Sequence, residues 1–119
     1  MPEMTILEDV EAAQQQLQPV PRQRPCVVLL HSQHCPPCTQ LHPEVERVAR
    51  VTPEVDFFSF QAEGQDALCE ELGVVGFPAQ VFTDCQGNQN VVVGTNWTRI
   101  NSALDKLLPE HLRLKPRSP

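Results

Sequence analysis

His34-Cys35-Pro36-Pro37-Cys38 puts two thiols three positions apart with only proline between them. Such a pair can bind a metal, staple the fold or exchange electrons. A metal needs further ligands. His31 and His34 extend the pattern to H-x-x-H-C-x-x-C, but tetrahedral zinc sites draw on two separated ligand pairs. Here all four groups come from one strand end and one helix start, and no metal is expected. The remaining cysteines are Cys26, Cys69 and Cys85; an odd total of 5 at irregular spacing argues against a secreted disulfide framework. Electron exchange is the leading reading, and helix physics gives it a mechanism. At a helix N-terminus the unpaired amides and the macrodipole favour negative charge, so a thiolate there is stabilised and reactive at neutral pH. Cys35 stands at that end as the attacking nucleophile. Cys38, one turn in and more buried, would displace the substrate and close the Cys35–Cys38 disulfide. Positions i and i+3 share a face of the first turn, so the two sulfurs can meet.

The elements around the pair follow from pattern. "CVVLLH" (26–31) is a continuous apolar run, as in a strand buried on both faces. From Pro36 to Arg50 the periodicity is helical, with Leu41, Val45 and Val48 at i, i+4, i+7. Pro36 and Pro37 are tolerable in a first turn; Pro43 lies in the interior and is expected to kink the helix. "EVDFFSFQA" (54–62) reads as a strand and 64–72 as a short helix. "AQVFTD" (79–84) and "NVVVGT" (90–95) read as strands joined across "CQGN", and "WTRINSALDKLL" (97–108) as a last helix. At the N-terminus, Thr5-x-x-Glu8 fits a capping box opening a helix; a strand at Met4–Leu7 followed by a helix from Glu8 fits equally well. The three prolines of "QPVPRQRP" (18–25) mark a loop, and 109–119 reads as a flexible tail. Alternating β and α with a closing hairpin implies an α/β fold, a mixed sheet of four or five strands with helices on both faces.

Composition sets outer limits. A length of 119 residues suits one domain. A net charge of -6 without a basic stripe argues against nucleic acid as a partner. No apolar run approaches the ~20 residues of a membrane span. The acidic start "MPEMTILEDVEAA" lacks the features of a signal peptide, and a cytoplasmic, reducing compartment is the expectation.

Over nearly its whole length the chain resembles the thioredoxin family. The resemblance rests on "CPPC" between a buried strand and a helix, on Pro43 five residues past Cys38, on "GVVGFPAQVF", and on the spacing of Gly87 and Gly94. It implies a single thioredoxin-like domain over 1–119, with an N-terminal helix and Pro-rich loop at 1–25. It implies a cis Phe77–Pro78 bond beside the sulfurs and a substrate groove formed by His34, Pro36, Pro37, Phe77, Pro78, Gly94 and Thr95. The Phe77 backbone would there bond an extended substrate strand. The chain also departs from the family. Leu29 stands where a buried Asp is usual, His31 and His34 replace aromatic residues, and Pro36 replaces Gly. For His34, groove lining or tuning of the thiol stands beside simple exposure; His31 reads as a strand-end residue packed on the helix.

The function expected is a thiol–disulfide oxidoreductase that reduces disulfides in protein substrates, as a monomer. Without a Gly-rich nucleotide fingerprint no bound cofactor is expected, and electrons would come from a separate reductase. Disulfide oxidation or isomerisation is a second reading. A thioredoxin fold used as a binding module, its dithiol vestigial, is a third.

Overall fold

The computed structural model describes residues 3–109. Its elements are β1 (Thr5–Leu7), α1 (Val10–Leu17), β2 (Cys26–His31), α2 (Pro36–Arg50), β3 (Asp56–Gln61), α3 (Asp66–Leu72), β4 (Ala79–Thr83), β5 (Gln89–Val93) and α4 (Trp97–Asp105). The five strands form one mixed sheet in the order β1-β3-β2-β4-β5. β1, β3 and β2 run parallel, while β4 is antiparallel to β2 and β5 antiparallel to β4. The β2 run of Val and Leu is explained by its central place, for both of its faces are covered. Val27 and Leu29 pack with Leu41, Val45 and Val48 of α2 and Ile100 and Leu104 of α4. Cys26, Val28 and Leu30 pack with Ala13 and Leu17 of α1 and Leu68 and Cys69 of α3.

Local signals set the boundaries. The capping-box reading at Thr5 is corrected: Thr5 lies in β1, and Asp9 caps α1 with its carboxylate accepting from Ala12 N at 2.8 Å. A carboxylate immediately before the first helical residue, Val10, competes better for the orphan amides than a threonine already committed to a strand ladder. α3 stops at Gly73, whose φ of 76° is the left-handed cap that glycine supplies at little cost. α4 ends three residues earlier than its apolar pattern, because Leu107 and Leu108 bond back to Leu104 and Asp105 in tighter turns. α2 is a single helix through Pro43. The α4 start is tied to α2 by Trp97 Nε1, which donates to Glu44 Oε2 at 2.9 Å. The tail expectation for 109–119 falls, from residue 110 on, outside the described residues.

Leu29 is the middle of a buried row across the sheet. Its register partners are Ser59 on β3 and Gln80 on β4, and Gln80 in turn pairs with Val92 on β5. Leu29 is 1% exposed, Ser59 0% and Gln80 1%. Ser59 Oγ and Gln80 Oε1 have no hydrogen-bond partner among the described residues. Polar atoms therefore remain in this row, but on both sides of Leu29 and not at it.

Two stability outcomes follow. Leu29→Asp is expected to cost about 1–3 kcal/mol, the scale for burying an uncompensated polar group. Burial raises a carboxyl's folded pKa above its unfolded value, so stability is retained at low pH and lost as pH rises through the folded value. Urea melts should show a larger loss at pH 8 than at pH 5; equal losses would mean that the Ser59 hydroxyl or water satisfies the new carboxylate. Gly87, at φ 94° in the β4–β5 hairpin, lies against the Pro-rich loop, and a Cβ there would stand 2.7 Å from Val20 C and 2.9 Å from Val20 N. Gly87→Ala adds left-handed strain to a backbone clash and should cost about 2 kcal/mol or more. A loss under about 0.5 kcal/mol, the scale of neutral surface changes, would mean the loop yields.

Candidate active site

β2 delivers the chain to α2 through Ser32, Gln33 and His34. His34 is exposed and holds a φ of 54°, a left-handed turn that histidine tolerates better than most non-glycine residues. Cys35 is then the N-cap of α2, extended at φ -118° and ψ 94°. An N-cap side chain ordinarily accepts from the amide of the second or third helical residue. Here the first two are Pro36 and Pro37, which have no N–H, so the Cys38 amide is the first the helix can offer. It donates to Cys35 Sγ at 3.3 Å. The prolines fit at these positions because an N-terminal turn has no intrahelical amide bond to lose. Cys35 and Cys38 are joined as a disulfide with Cα atoms 5.2 Å apart. Cys35 is partly exposed, whereas Cys38 is 4% exposed and faces the α2 side of the core. The burial difference has the direction expected from the helix position.

Sheet register brings a second set of residues to the same end. Leu30 of β2 pairs with Ala79 of β4, and Ala79 with Val93 of β5. One step further along each strand stand His31, Pro78 and Gly94. The Phe77–Pro78 bond is cis, as the resemblance implies. Gly94 N donates to Pro78 O at 2.8 Å, and Gly94 O accepts from Gln80 Nε2 at 3.1 Å, which fixes the Pro78–Gly94 wall. Pro78 is buried, Phe77 packs partly against the α1/α3 side of the core, and Thr95 is exposed. The Phe77 backbone finds no hydrogen-bond partner among the described residues. Pro36 and Pro37 are exposed on the first turn of α2.

The two histidines of the H-x-x-H pattern part company. His34 lies on the exposed loop, while His31 turns its half-buried ring toward α2, where it meets His42 edge to face with centroids 5.8 Å apart. Burial, and then the neighbouring His42, lower the His31 pKa from 6.5. The folded chain thus binds this proton more weakly than the unfolded chain, and His31 costs stability as pH falls below that value. His42 Nδ1 lies 3.1 Å from Glu46 Oε1. His31, Ser32, Cys38, Thr39, His42 and Pro43 line a pocket of about 300 Å³. Among the described residues no group of three or more His, Cys, Asp or Glu is arranged to hold a metal ion.

The other cysteines stand apart from the pair. Cys26 is fully buried, donates to Gln16 O at 3.6 Å, and burial pushes its thiol pKa up. Cys69 is nearly buried on α3, and burial, with Asp66 beside it, raises its pKa as well. Cys85 is exposed at the hairpin. Sequence reasoning passes over Ser59, Gln80, His42 and Glu46. Strand register alone identifies the first two; the Cys38, His42, Glu46 spacing of four is a signal the sequence does carry.

No curated protein matches the sequence significantly. Solved structures do. The thioredoxin NaTrxh of Nicotiana alata superposes with a TM-score of 0.77 at 18% identity, over 91% of this chain and 95% of that one. Thioredoxin O2 of Arabidopsis thaliana in its oxidised state gives 0.75 at 19%, over 90% and 96%. The thioredoxin of Fasciola hepatica gives 0.69 at 25%, over 88% and 100%. The family model Thioredoxin matches residues 4–106. A cysteine pair closed as a disulfide at the start of α2, in this fold, points to thiol–disulfide oxidoreductase chemistry, and the chain belongs to the thioredoxin family.

Proposed function

We propose that the chain reduces disulfides in protein substrates through the Cys35/Cys38 dithiol, with electrons supplied by a separate reductase in a reducing compartment such as the cytoplasm. The observation that carries this reading is the asymmetry of the pair: a partly exposed sulfur at the helix cap and a partner 4% exposed one turn inside. In the dithiol form, Cys35 Sγ would keep the Cys38 amide and the α2 dipole as anion stabilisers, which favours its thiolate as nucleophile. The sulfur attacks a substrate disulfide, forms a mixed disulfide and releases one substrate thiolate. The Cys38 thiolate then attacks Cys35 Sγ, the second substrate sulfur leaves, and two electrons have passed to the substrate. His34, Pro36 and Pro37 would line one side of the groove, and Phe77, Pro78, Gly94 and Thr95 the other. The unpaired Phe77 backbone suits an extended substrate segment by strand addition. A monomer suffices for this site, since every residue invoked comes from one chain.

Cys35→Ser is expected to abolish disulfide reduction, and Cys38→Ser to accumulate a mixed disulfide through Cys35. Insulin precipitation with dithiothreitol reads the first, and non-reducing gels of the pre-reduced, dithiothreitol-free variants incubated with insulin read the second. Capture by Cys35→Ser in place of Cys38→Ser would reverse the two roles, and capture by neither would remove the reductase reading.

A further inference from the structure

Resolution of a mixed disulfide needs the Cys38 thiolate, and a thiol 4% exposed in an apolar setting does not ionise readily. The proton has to go to a nearby base. Leu29, in the buried row across the sheet, cannot accept it, and neither Ser59 nor Gln80 is a base at neutral pH. α2 itself carries the alternative. Cys38, His42 and Glu46 succeed one another at spacings of four, which places the three side chains in one line along the helix. Cys38 and His42 open on the same pocket, and Glu46 holds His42 Nδ1. A carboxylate only accepts, so Nδ1 carries the hydrogen and Nε2 keeps the lone pair of the neutral ring.

Building on the dithiol reading above, we propose that His42, oriented by Glu46, takes the proton of the Cys38 thiol as Cys38 attacks the mixed disulfide at Cys35. The step balances within the site. Cys38 S–H breaks, its hydrogen passes to His42 Nε2, and the sulfur's electron pair forms the Cys38–Cys35 bond. The Cys35–substrate bond breaks, and its electron pair leaves on the substrate sulfur, which collects the proton from the imidazolium. Cys38 is oxidised from thiol to disulfide, Cys35 stays at the disulfide level, and the substrate sulfur is reduced.

The groups facing His42 favour this assignment. From β2 comes His31, whose ring abuts His42; from α2 come Cys38 and Glu46. Ser32, Thr39 and Pro43 complete the pocket without charge. Burial and the neighbouring His42 both work against protonation of His31, which leaves His42 as the base of the pair nearer Glu46. Glu63, on the loop after β3, is held by the Gln33 amide at 3.1 Å and does not line the pocket. Glu46 is a positioning residue in this scheme.

The test is stopped-flow reaction of the reduced chain with a chromogenic aromatic disulfide, on a Cys85→Ser background that removes the exposed extra thiol. The first equivalent of coloured thiolate reports attack by Cys35 and the second reports resolution by Cys38. His42→Gln should leave the first phase within about twofold and slow the second about 10-fold at pH 7, at or below the usual range for general base catalysis because a thiol ionises partly by itself. The gap should narrow as pH rises, since hydroxide then takes the proton without the imidazole, and added imidazole should restore part of the rate. Glu46→Gln, on the exposed side, should slow the second phase about threefold, since it removes orientation and not the base. An unchanged second phase in His42→Gln overturns the proposal and leaves the dithiol reading standing. Slowing by one factor at every pH without imidazole rescue also overturns it, as a packing effect. Absence of a Cys35-dependent first phase in the unsubstituted chain removes the dithiol reading and this proposal together.

Discussion

The site hangs on one hydrogen bond, from the Cys38 amide to Cys35 Sγ at 3.3 Å. It makes a sulfur the N-cap of α2, and the two prolines between the cysteines leave the helix no earlier amide to offer. Two consequences pull against each other. The fixed φ of Pro36 and Pro37 pre-organises the first turn, so the pair is held at its spacing with little backbone entropy left to lose. The same prolines strip donors that would share the charge of a Cys35 thiolate. A chain with glycine at the first position would keep one more donor and more freedom. Holding the cap rigid on a single amide makes the remaining N–H the decisive electrostatic contact, and α2 must start where it does for that contact to exist.

That start is set from behind by β2. The strand is buried on both faces and paired on both edges, to β3 and β4. Its C-terminal end therefore cannot shift without disturbing two ladders and two cores. Because β4 and β5 are in register with it, the cis Phe77–Pro78 corner and Gly94 arrive at the same rim, and Gln80 reaches under the wall to hold Gly94 O. The shared rim is a by-product of sheet register, and its placement comes from residues buried well below it.

Much of this could be read from the chain and some could not, for physical reasons. Cys35 and Cys38 stood out because their spacing has few structural uses, and Cys26–His31 because an unbroken Val/Leu run suits a doubly covered strand. α2 kept the bounds of its apolar period, since both ends carry strong signals. Thr5 left a capping box and a short strand equally open, because the same Thr-x-x-Glu pattern serves both; the choice is made by pairing with Phe58 on β3, which no local pattern encodes. The buried places of Ser59 and Gln80 were hidden for a related reason. In an alternating strand a polar residue reads as outward-facing, and only the neighbouring strands and helices decide that this face is covered. His31 read as a strand-end residue packed on the helix and His34 as a residue beside the first thiol; a left-handed residue at His34 separates them, turning one to solvent while the other stays on the strand facing α2.

Taken with Leu29, the polar atoms of this core have been redistributed. A carboxylate beneath the cysteines would titrate inside the core, with a desolvation cost that rises whenever it is charged. Leu29 removes that cost, and the neutral oxygens of Ser59 and Gln80 cost less because neither ionises. Proton-bearing groups sit instead at the rim, where His31 and His42 are half in water and Glu46 is more exposed still. There an imidazole can change charge without the penalty of a full burial, and a carboxylate can orient it without having to be neutralised. Separating the core from the titrating groups in this way keeps ionisable side chains out of the Leu29 row and leaves the histidines near the cysteine pair open to the pH of their surroundings.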